Sequence, residues 1–162
     1  MRYATEQDLS AIVDIYNAAV PSRTATADLE PIEFESKRAW FNSHSPENYP
    51  LLVHEIDGKV AAWIGLQSFH GRPVYRYTAE VSLYIAPEHQ GKGLGRLLME
   101  AILEEAERTG LKNLTAYIFS HNERSLNLFR YFGFEEWGFL PNVTEMDSIE
   151  HSVTILGKRI QP

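Results

Sequence analysis

Cysteine is absent from this 162-residue chain. Its absence removes disulfides, thiolate nucleophiles and cysteine-based zinc or iron–sulfur sites together, so any covalent intermediate needs another nucleophile. No apolar run approaches the roughly 20 residues that span a bilayer, and the opening Met1-Arg2-Tyr3-Ala4-Thr5 carries no apolar signal region. The expected location is the cytoplasm, with no membrane partner. The six histidines are scattered, without His-Glu-x-x-His or similar ligand spacing, so no metal site is expected. Basic residues are in deficit, with 15 Lys and Arg against 22 Asp and Glu and a net charge of −7. That balance argues against nucleic acid and suits a small cationic or zwitterionic substrate, although acidity also serves solubility alone.

What is present fits one globular unit. A chain of this length buries about two-thirds of its unfolded surface in a single core, so one domain over residues 1–162 is expected. Thr5-Glu6-Gln7-Asp8 resembles a capping box, and Leu9, Ile12, Tyr16 and Ala19 recur at helical spacing, which predicts a helix over residues 6–19. Pro31 predicts the opening of a second helix, residues 32–43. Two apolar runs, 51–56 and 59–67, flank Asp57-Gly58 and predict a hairpin. A strand over 75–85 stops at Pro87, and a helix over 94–109 ends at Gly110. A strand at 114–119, a short helix to Phe132 with Gly133 as its stop, and strands at 134–140 and 151–159 complete the chain. This order argues for one mixed α/β sheet covered by helices.

The most informative segment is Gln90-Gly91-Lys92-Gly93-Leu94-Gly95, between a strand and a helix. Its glycines permit positive φ and close approach of the backbone, and the helix that follows aims free N–H groups and its positive dipole end at the same point. That is an anion site suited to a phosphate or pyrophosphate. A Walker A loop is excluded, because no Gly-Lys-Ser/Thr ending follows; the dinucleotide fingerprint fails too, since Leu98 stands where its third glycine belongs. A tight strand-to-helix turn without a ligand is the remaining alternative.

Residues 81–96 (VSLYIAPEHQGKGLGR), with Asn122-Glu123-Arg124-Ser125 and Gly133-Phe134 downstream, resemble the GNAT-type N-acetyltransferases. The turn matches their Q/R-x-x-G-x-G/A signature at Gln90, Gly93 and Gly95. Residues 75–80 (YRYTAE) and the opening ATEQDLSAIVDIYN are similar to the phosphinothricin and methionine sulfoximine acetyltransferases. The resemblance implies a mixed, mostly antiparallel sheet with helices on both faces, splayed between the strand before the glycine turn and the strand after the long helix. It implies acetyl-CoA as co-substrate, its pantetheine arm against the backbone of Leu83, Tyr84 and Ile85 and its pyrophosphate on the amides from Gly91 to Arg96. Asn122 would touch the cofactor arm, although asparagine is also a favoured helix N-cap. A homodimer is implied by analogy.

Acetyl transfer to an amine needs neutral nitrogen. An alkyl amine with a pKa near 10.4 costs about 4.6 kcal/mol to neutralise at pH 7, and a carboxylate that takes its proton is the simplest remedy. The resemblance places that base at Glu80. Strand alternation puts Ala79, Val81, Leu83 and Ile85 on one face and Glu80, Ser82 and Tyr84 on the other; a solvated glutamate is the alternative. Many relatives carry a tyrosine or histidine as general acid four residues before the Gly-Phe glycine, where this chain has Phe129, which cannot donate a proton. Solvent or Tyr84 would then protonate the leaving thiolate. Tyr75 and Arg76 fall where the subfamily binds its amino-acid-like acceptor, and Arg72 is a second basic candidate for a carboxylate or phosphinate. The segment from Asn142 onward diverges from better-known members in the region that shapes the acceptor pocket. The expected activity is therefore acetyl transfer to a small primary amine by direct attack in a ternary complex; acetylation of a protein N-terminus or lysine, and a non-turning acyl-CoA sensor, are the competing readings.

Overall fold

A seven-stranded sheet runs through the computed structural model, which describes residues 1–162. In chain order the strands are β1 (Arg2–Tyr3), β2 (Leu51–Ile56), β3 (Lys59–Ser68), β4 (Thr78–Ile85), β5 (Asn113–Phe119), β6 (Glu135–Met146) and β7 (Ile149–Arg159). Their spatial order is β1-β2-β3-β4-β5-β7-β6, antiparallel throughout except for the parallel pair β4 and β5. The helices are α1 (Leu9–Ala19), α2 (Arg38–Asn42), α3 (Leu94–Arg108) and α4 (Glu123–Tyr131). This is the mixed, mostly antiparallel architecture that the sequence implied.

Period-two alternation distributes the core over both faces of the sheet. Ala62, Ile64 and Leu66 of β3 pack with Leu98, Met99 and Ile102 of α3 on one side. Trp63 of the same strand packs with Ile12 and Ile15 of α1 on the other. The apolar residues Ala79 and Val81 of β4 join the α3 side, and Tyr84 joins the α1 side, so the polar face of β4 is turned toward α1.

The parallel pair positions the site. β4 and β5 are in register only at Thr78–Asn113, Ala79–Leu114 and Glu80–Thr115. Beyond Glu80 each follows its antiparallel partner, β4 along β3 to Ile85 and β5 along β7 to Phe119, and the strands part. The splay opens where two full-length ladders with their own twist diverge.

Four elements depart most from the sequence-based expectation. The helix over 32–43 is a 3-10 turn (Phe34–Lys37) followed by the short α2. Ser36 Oγ donates to the Glu33 carbonyl at 2.6 Å and Ser43 Oγ to the Trp40 carbonyl at 2.6 Å, local bonds that compete with a long helix. β4 starts at Thr78, because Pro73–Tyr75 forms a 3-10 turn closed by Tyr75 N–H on the Arg72 carbonyl at 3.0 Å. β6 runs on to Met146 through register shifts at Glu136/Gly138 and Leu140/Thr144, which hide its alternation. β1 is too short to carry a pattern, yet Arg2 pins it: its guanidinium donates to both Asp8 carboxylate oxygens, at 2.7 and 2.9 Å.

Candidate active site

The turn between β4 and α3 is built around two left-handed glycines. Gly91 has φ 75° and Gly93, the residue before α3, has φ 85°, a region that strains any residue with a Cβ. Gln90 fastens the turn on both sides: its Nε2 donates to the Ile85 carbonyl at 3.1 Å, and its Oε1 accepts from Arg124 Nη1 at 3.1 Å. Gly95 allows α3 and α4 to approach, since a Cβ there would stand 3.0 Å from Leu128 Cδ2. The backbone N–H groups of Gly91, Lys92, Gly93, Leu94 and Gly95 donate to no other group of the chain. A row of converging amides at a helix N-terminus, with Arg96 and Arg124 beside it, fits a pyrophosphate.

A groove of about 980 Å³ leads from this turn along β4 to α4. The ladder fixes which backbone groups face it. Ala86 N–H donates to the Ala61 carbonyl at 2.9 Å, so by alternation Tyr84, Ser82 and Glu80 bond to β3. Both backbone groups of Leu83, the carbonyl of Val81 and the N–H of Ile85 therefore point into the splay, free to pair with an extended arm. Val81 N–H is used in the parallel pair with Thr115, and the Ile85 carbonyl accepts from Gln90. Tyr84 contributes its side chain instead: its backbone is engaged with β3, and its hydroxyl donates to the Ala25 carbonyl at 2.9 Å. Asn122 caps α4 by accepting from Ser125 N–H at 3.1 Å, and its Nδ2 donates to the Thr24 carbonyl at 3.0 Å. It lines the groove while holding the 24–27 segment over it.

The groove opens into a second cavity of about 390 Å³ on the α1 side of the sheet. Leu83, Tyr84 and Asn122 line both. Tyr16, Trp40, Trp63 and Tyr84 form its aromatic wall: Trp63 stacks on Tyr84 at 5.0 Å, Tyr16 tilts against Tyr84 at 5.0 Å, and Trp40 meets Trp63 edge-on at 5.4 Å. Leu140, Thr144 and Val153 of the last hairpin close another side. Tyr16 hydroxyl is bonded to Thr26 and Asp28, and burial, followed by the Asp28 carboxylate, pushes its pKa up to about 12. Burial likewise raises Tyr84, so both hydroxyls stay protonated.

Glu80 is the only carboxylate lining the second cavity. Burial raises its pKa above the ordinary carboxylate value, and a hydrogen bond with Gln67, its register partner on β3, pulls it part of the way back. A base so tuned accepts a proton more readily than a solvated glutamate.

Residues 10–134 match the family model described as "Acetyltransferase (GNAT) family". The chain belongs to the GNAT acetyltransferases. Over 161 residues it is 45% identical to the "Putative phosphinothricin acetyltransferase YwnH" of Bacillus subtilis, covering 99% of this chain and 98% of that protein. It is 35% identical over 143 residues to the "L-methionine sulfoximine/L-methionine sulfone acetyltransferase" of Salmonella typhimurium, covering 88% of this chain and 84% of that one. Among solved structures, a GNAT superfamily phosphinothricin acetyltransferase from Sinorhizobium meliloti in complex with acetyl-CoA superposes with a TM-score of 0.93 at 25% identity, over 99% of this chain and 87% of that one. This GNAT chain is an acetyl-CoA-dependent N-acetyltransferase, and the amide row and the splayed strand carry the features its co-substrate needs.

Not every residue singled out in the sequence converges on this GNAT site. Arg72, Tyr75 and Arg76 line neither cavity. They sit on the exposed 3-10 turn before β4, where Arg76 lies over the Tyr77 ring at 4.4 Å and Tyr75 packs against Phe69 and His70. Starting the strand at Thr78 leaves them off the face that carries Glu80. Phe129 is 2% exposed, packs edge-to-face on Phe134 at 5.0 Å and supplies a hydrocarbon wall to the acceptor-side cavity. Tyr131 faces the outer groove, with the Arg96 guanidinium 4.3 Å from its ring centre. Arg124 is a further residue of the cradle, legible in the sequence as the cation after Asn-Glu in the α4 cap. The aromatic wall carries no such signal, since its members come from α1, α2, β3 and β4 with no common spacing.

Proposed function

We propose that this enzyme acetylates the primary amine of a small amino-acid-like acceptor, of the methionine sulfone, methionine sulfoximine or phosphinothricin kind, by direct attack in a ternary complex. The observation that carries the reading is the junction of the cofactor groove with a separate aromatic cavity whose single carboxylate is Glu80. The acceptors named for the methionine sulfoximine and phosphinothricin relatives support the substrate class.

In this reading acetyl-CoA supplies an activated acetyl thioester. The amides of residues 91–95 hold its pyrophosphate, and the inward-facing backbone of Val81, Leu83 and Ile85 aligns its arm. Glu80 accepts the ammonium proton, directly or through water, so that the amine attacks as a neutral nucleophile. A β4 amide facing the splay, Leu83 or Ile85, donates to the carbonyl oxygen as it gains charge. The C–N bond forms, the C–S bond breaks, and the second proton, which the new amide nitrogen must lose, passes to the departing thiolate through solvent or by way of Tyr84, which lines both cavities. Arg72, Tyr75 and Arg76 would act at the approach to the acceptor cavity. The exposed apolar residues of the last hairpin, Trp137, Phe139, Val143 and Ile149, support a homodimer built on that face, and dependence on acetyl-CoA fits the cytoplasm.

The test is CoA release from acetyl-CoA with methionine sulfone, methionine sulfoximine, phosphinothricin, ordinary amino acids, polyamines and peptides. The expected result is release with free amino-acid-like acceptors and none with peptides. Release with peptides alone would overturn the substrate class, and acetyl-CoA binding without release on any acceptor would overturn turnover on these acceptors.

A further inference from the structure

The acceptor cavity has one positive side chain to set against its one negative. Of the residues that line it, Lys37 is the only lysine or arginine and Glu80 the only aspartate or glutamate. Lys37 ends the 3-10 turn Phe34–Lys37, and its ammonium lies over two cavity rings, 5.1 Å from the centre of Tyr16 and 5.2 Å from that of Trp40. It takes part in none of the ion pairs of the molecule. Its neighbour Arg38 is spent elsewhere, bonded to Glu35 and Glu6. The two charges are linked through the wall between them. Trp40, under Lys37, donates its indole N–H to Gln67 Oε1 at 3.2 Å, and Gln67 stands opposite Glu80 in the β3–β4 register.

We infer that Lys37 is a specificity-determining residue, which anchors the carboxylate of an α-amino-acid acceptor while Glu80 receives its amine. This rests on the acetyl-transfer reading above and names the group that selects its substrate. A zwitterion entering an apolar, aromatic cavity must exchange water for a partner at both ends, because either charge left unpaired there is costly. Glu80 meets only the ammonium. The lysine stem is long enough to swing its head from the ring faces to a carboxylate, and a half-buried ammonium held only by cation–π contacts gains more from a direct charge-assisted bond. An amine lacking the carboxylate would leave Lys37 on its aromatic seat and gain nothing from it.

The test compares methionine sulfone with 3-(methylsulfonyl)propylamine, which has the same side chain and amine but no carboxylate. Wild-type protein, Lys37→Met and Lys37→Gln are compared for KM and kcat on both acceptors at saturating acetyl-CoA. Acceptor binding is read separately from quenching of tryptophan fluorescence with CoA present, using the Trp40–Trp63 pair. The expected result is that either variant raises the KM and the dissociation constant for methionine sulfone about 10- to 100-fold, as for loss of a hydrogen bond to a charged group. Values for the amine and for acetyl-CoA should stay the same, and Lys37→Arg should restore most of the preference. Equal losses on both acceptors, or none on either, would overturn the inference, and so would a carboxylate preference that survives in the Lys37 variants and vanishes in Arg72→Ala or Arg76→Ala. If the wild type binds methionine sulfone but releases no CoA, acetyl transfer to that acceptor fails, while the fluorescence titrations still decide the role of Lys37.

Discussion

The cofactor groove and the acceptor cavity share a border and almost nothing else. The groove is made of backbone: amides 91–95 at the head of α3, and the inward groups of Val81, Leu83 and Ile85. The acceptor cavity is made of side chains gathered from α1, α2, β3, β4 and the last hairpin, with one charge of each sign among aromatic rings. A backbone site tolerates most sequence change provided the glycines that shape it remain. A side-chain site can change its substrate through single substitutions on an unchanged sheet. The GNAT fold can thus hold one co-substrate while its acceptors vary.

Single substitutions can break this contrast or sharpen it. The largest effect is expected at Glu80: Glu80→Gln should lower kcat about 10²-fold or more at pH 7 and leave acetyl-CoA binding unchanged in calorimetry. Because burial raises the folded-state pKa of Glu80, the folded state holds its proton more tightly than the unfolded chain. The stability this costs grows as pH rises above the unfolded carboxyl value, so the same variant should keep or raise Tm at pH 7.

Next is the hairpin wall. A Cβ on Gly157 would stand 2.0 Å from the Trp137 ring, so Gly157→Ala should cost about 1–3 kcal/mol by overpacking, read as a lower Tm. Gly157 and Trp137 line neither cavity, so the acceptor KM should rise only through displacement of the hairpin pair Leu140–Val153, which does, and the acetyl-CoA KM should not change. At the cradle the pattern should reverse. Gly93→Val forces a branched residue to φ 85° and should raise the acetyl-CoA KM about tenfold, with the acceptor KM steady. The smallest effect belongs to Lys92→Ala, expected within about threefold in the acetyl-CoA KM, because an exposed side chain contributes little where amides do the binding. A large loss there, or a Glu80 variant that fails to bind acetyl-CoA, would erase the distinction between the two regions.

The same contrast explains what the sequence made legible. The cradle could be read because its requirements are local: three glycines, a strand before and a helix after, within one short segment. The sheet could be read because β3 is an unbroken apolar run beside an Asp-Gly turn and β4 alternates apolar and polar residues, and the splay followed from the family resemblance. The acceptor cavity could not be read in this way, since Tyr16, Lys37, Trp40 and Trp63 meet only after the sheet forms and no spacing links them. Arg76 shows the reverse case, a residue near in sequence and set apart by a turn. It stands close to Glu80 in sequence, but Pro73 starts a turn that removes it from the strand face. The final hairpin runs longer than its pattern predicts, because its register shifts interrupt the two-residue period.

The central claim is that Glu80 is the proton acceptor of a side-chain cavity served by a backbone cofactor cradle, and the pH profile of kcat in wild type and Glu80→Gln tests it most directly. Glu80 must be ionised to take the proton. The wild type should therefore lose kcat as pH falls through a value above the ordinary carboxylate range, and the deficit of Glu80→Gln should shrink as pH rises and more of the amine is already neutral. An acid limb of the same position and depth in the Glu80→Gln variant would contradict the account.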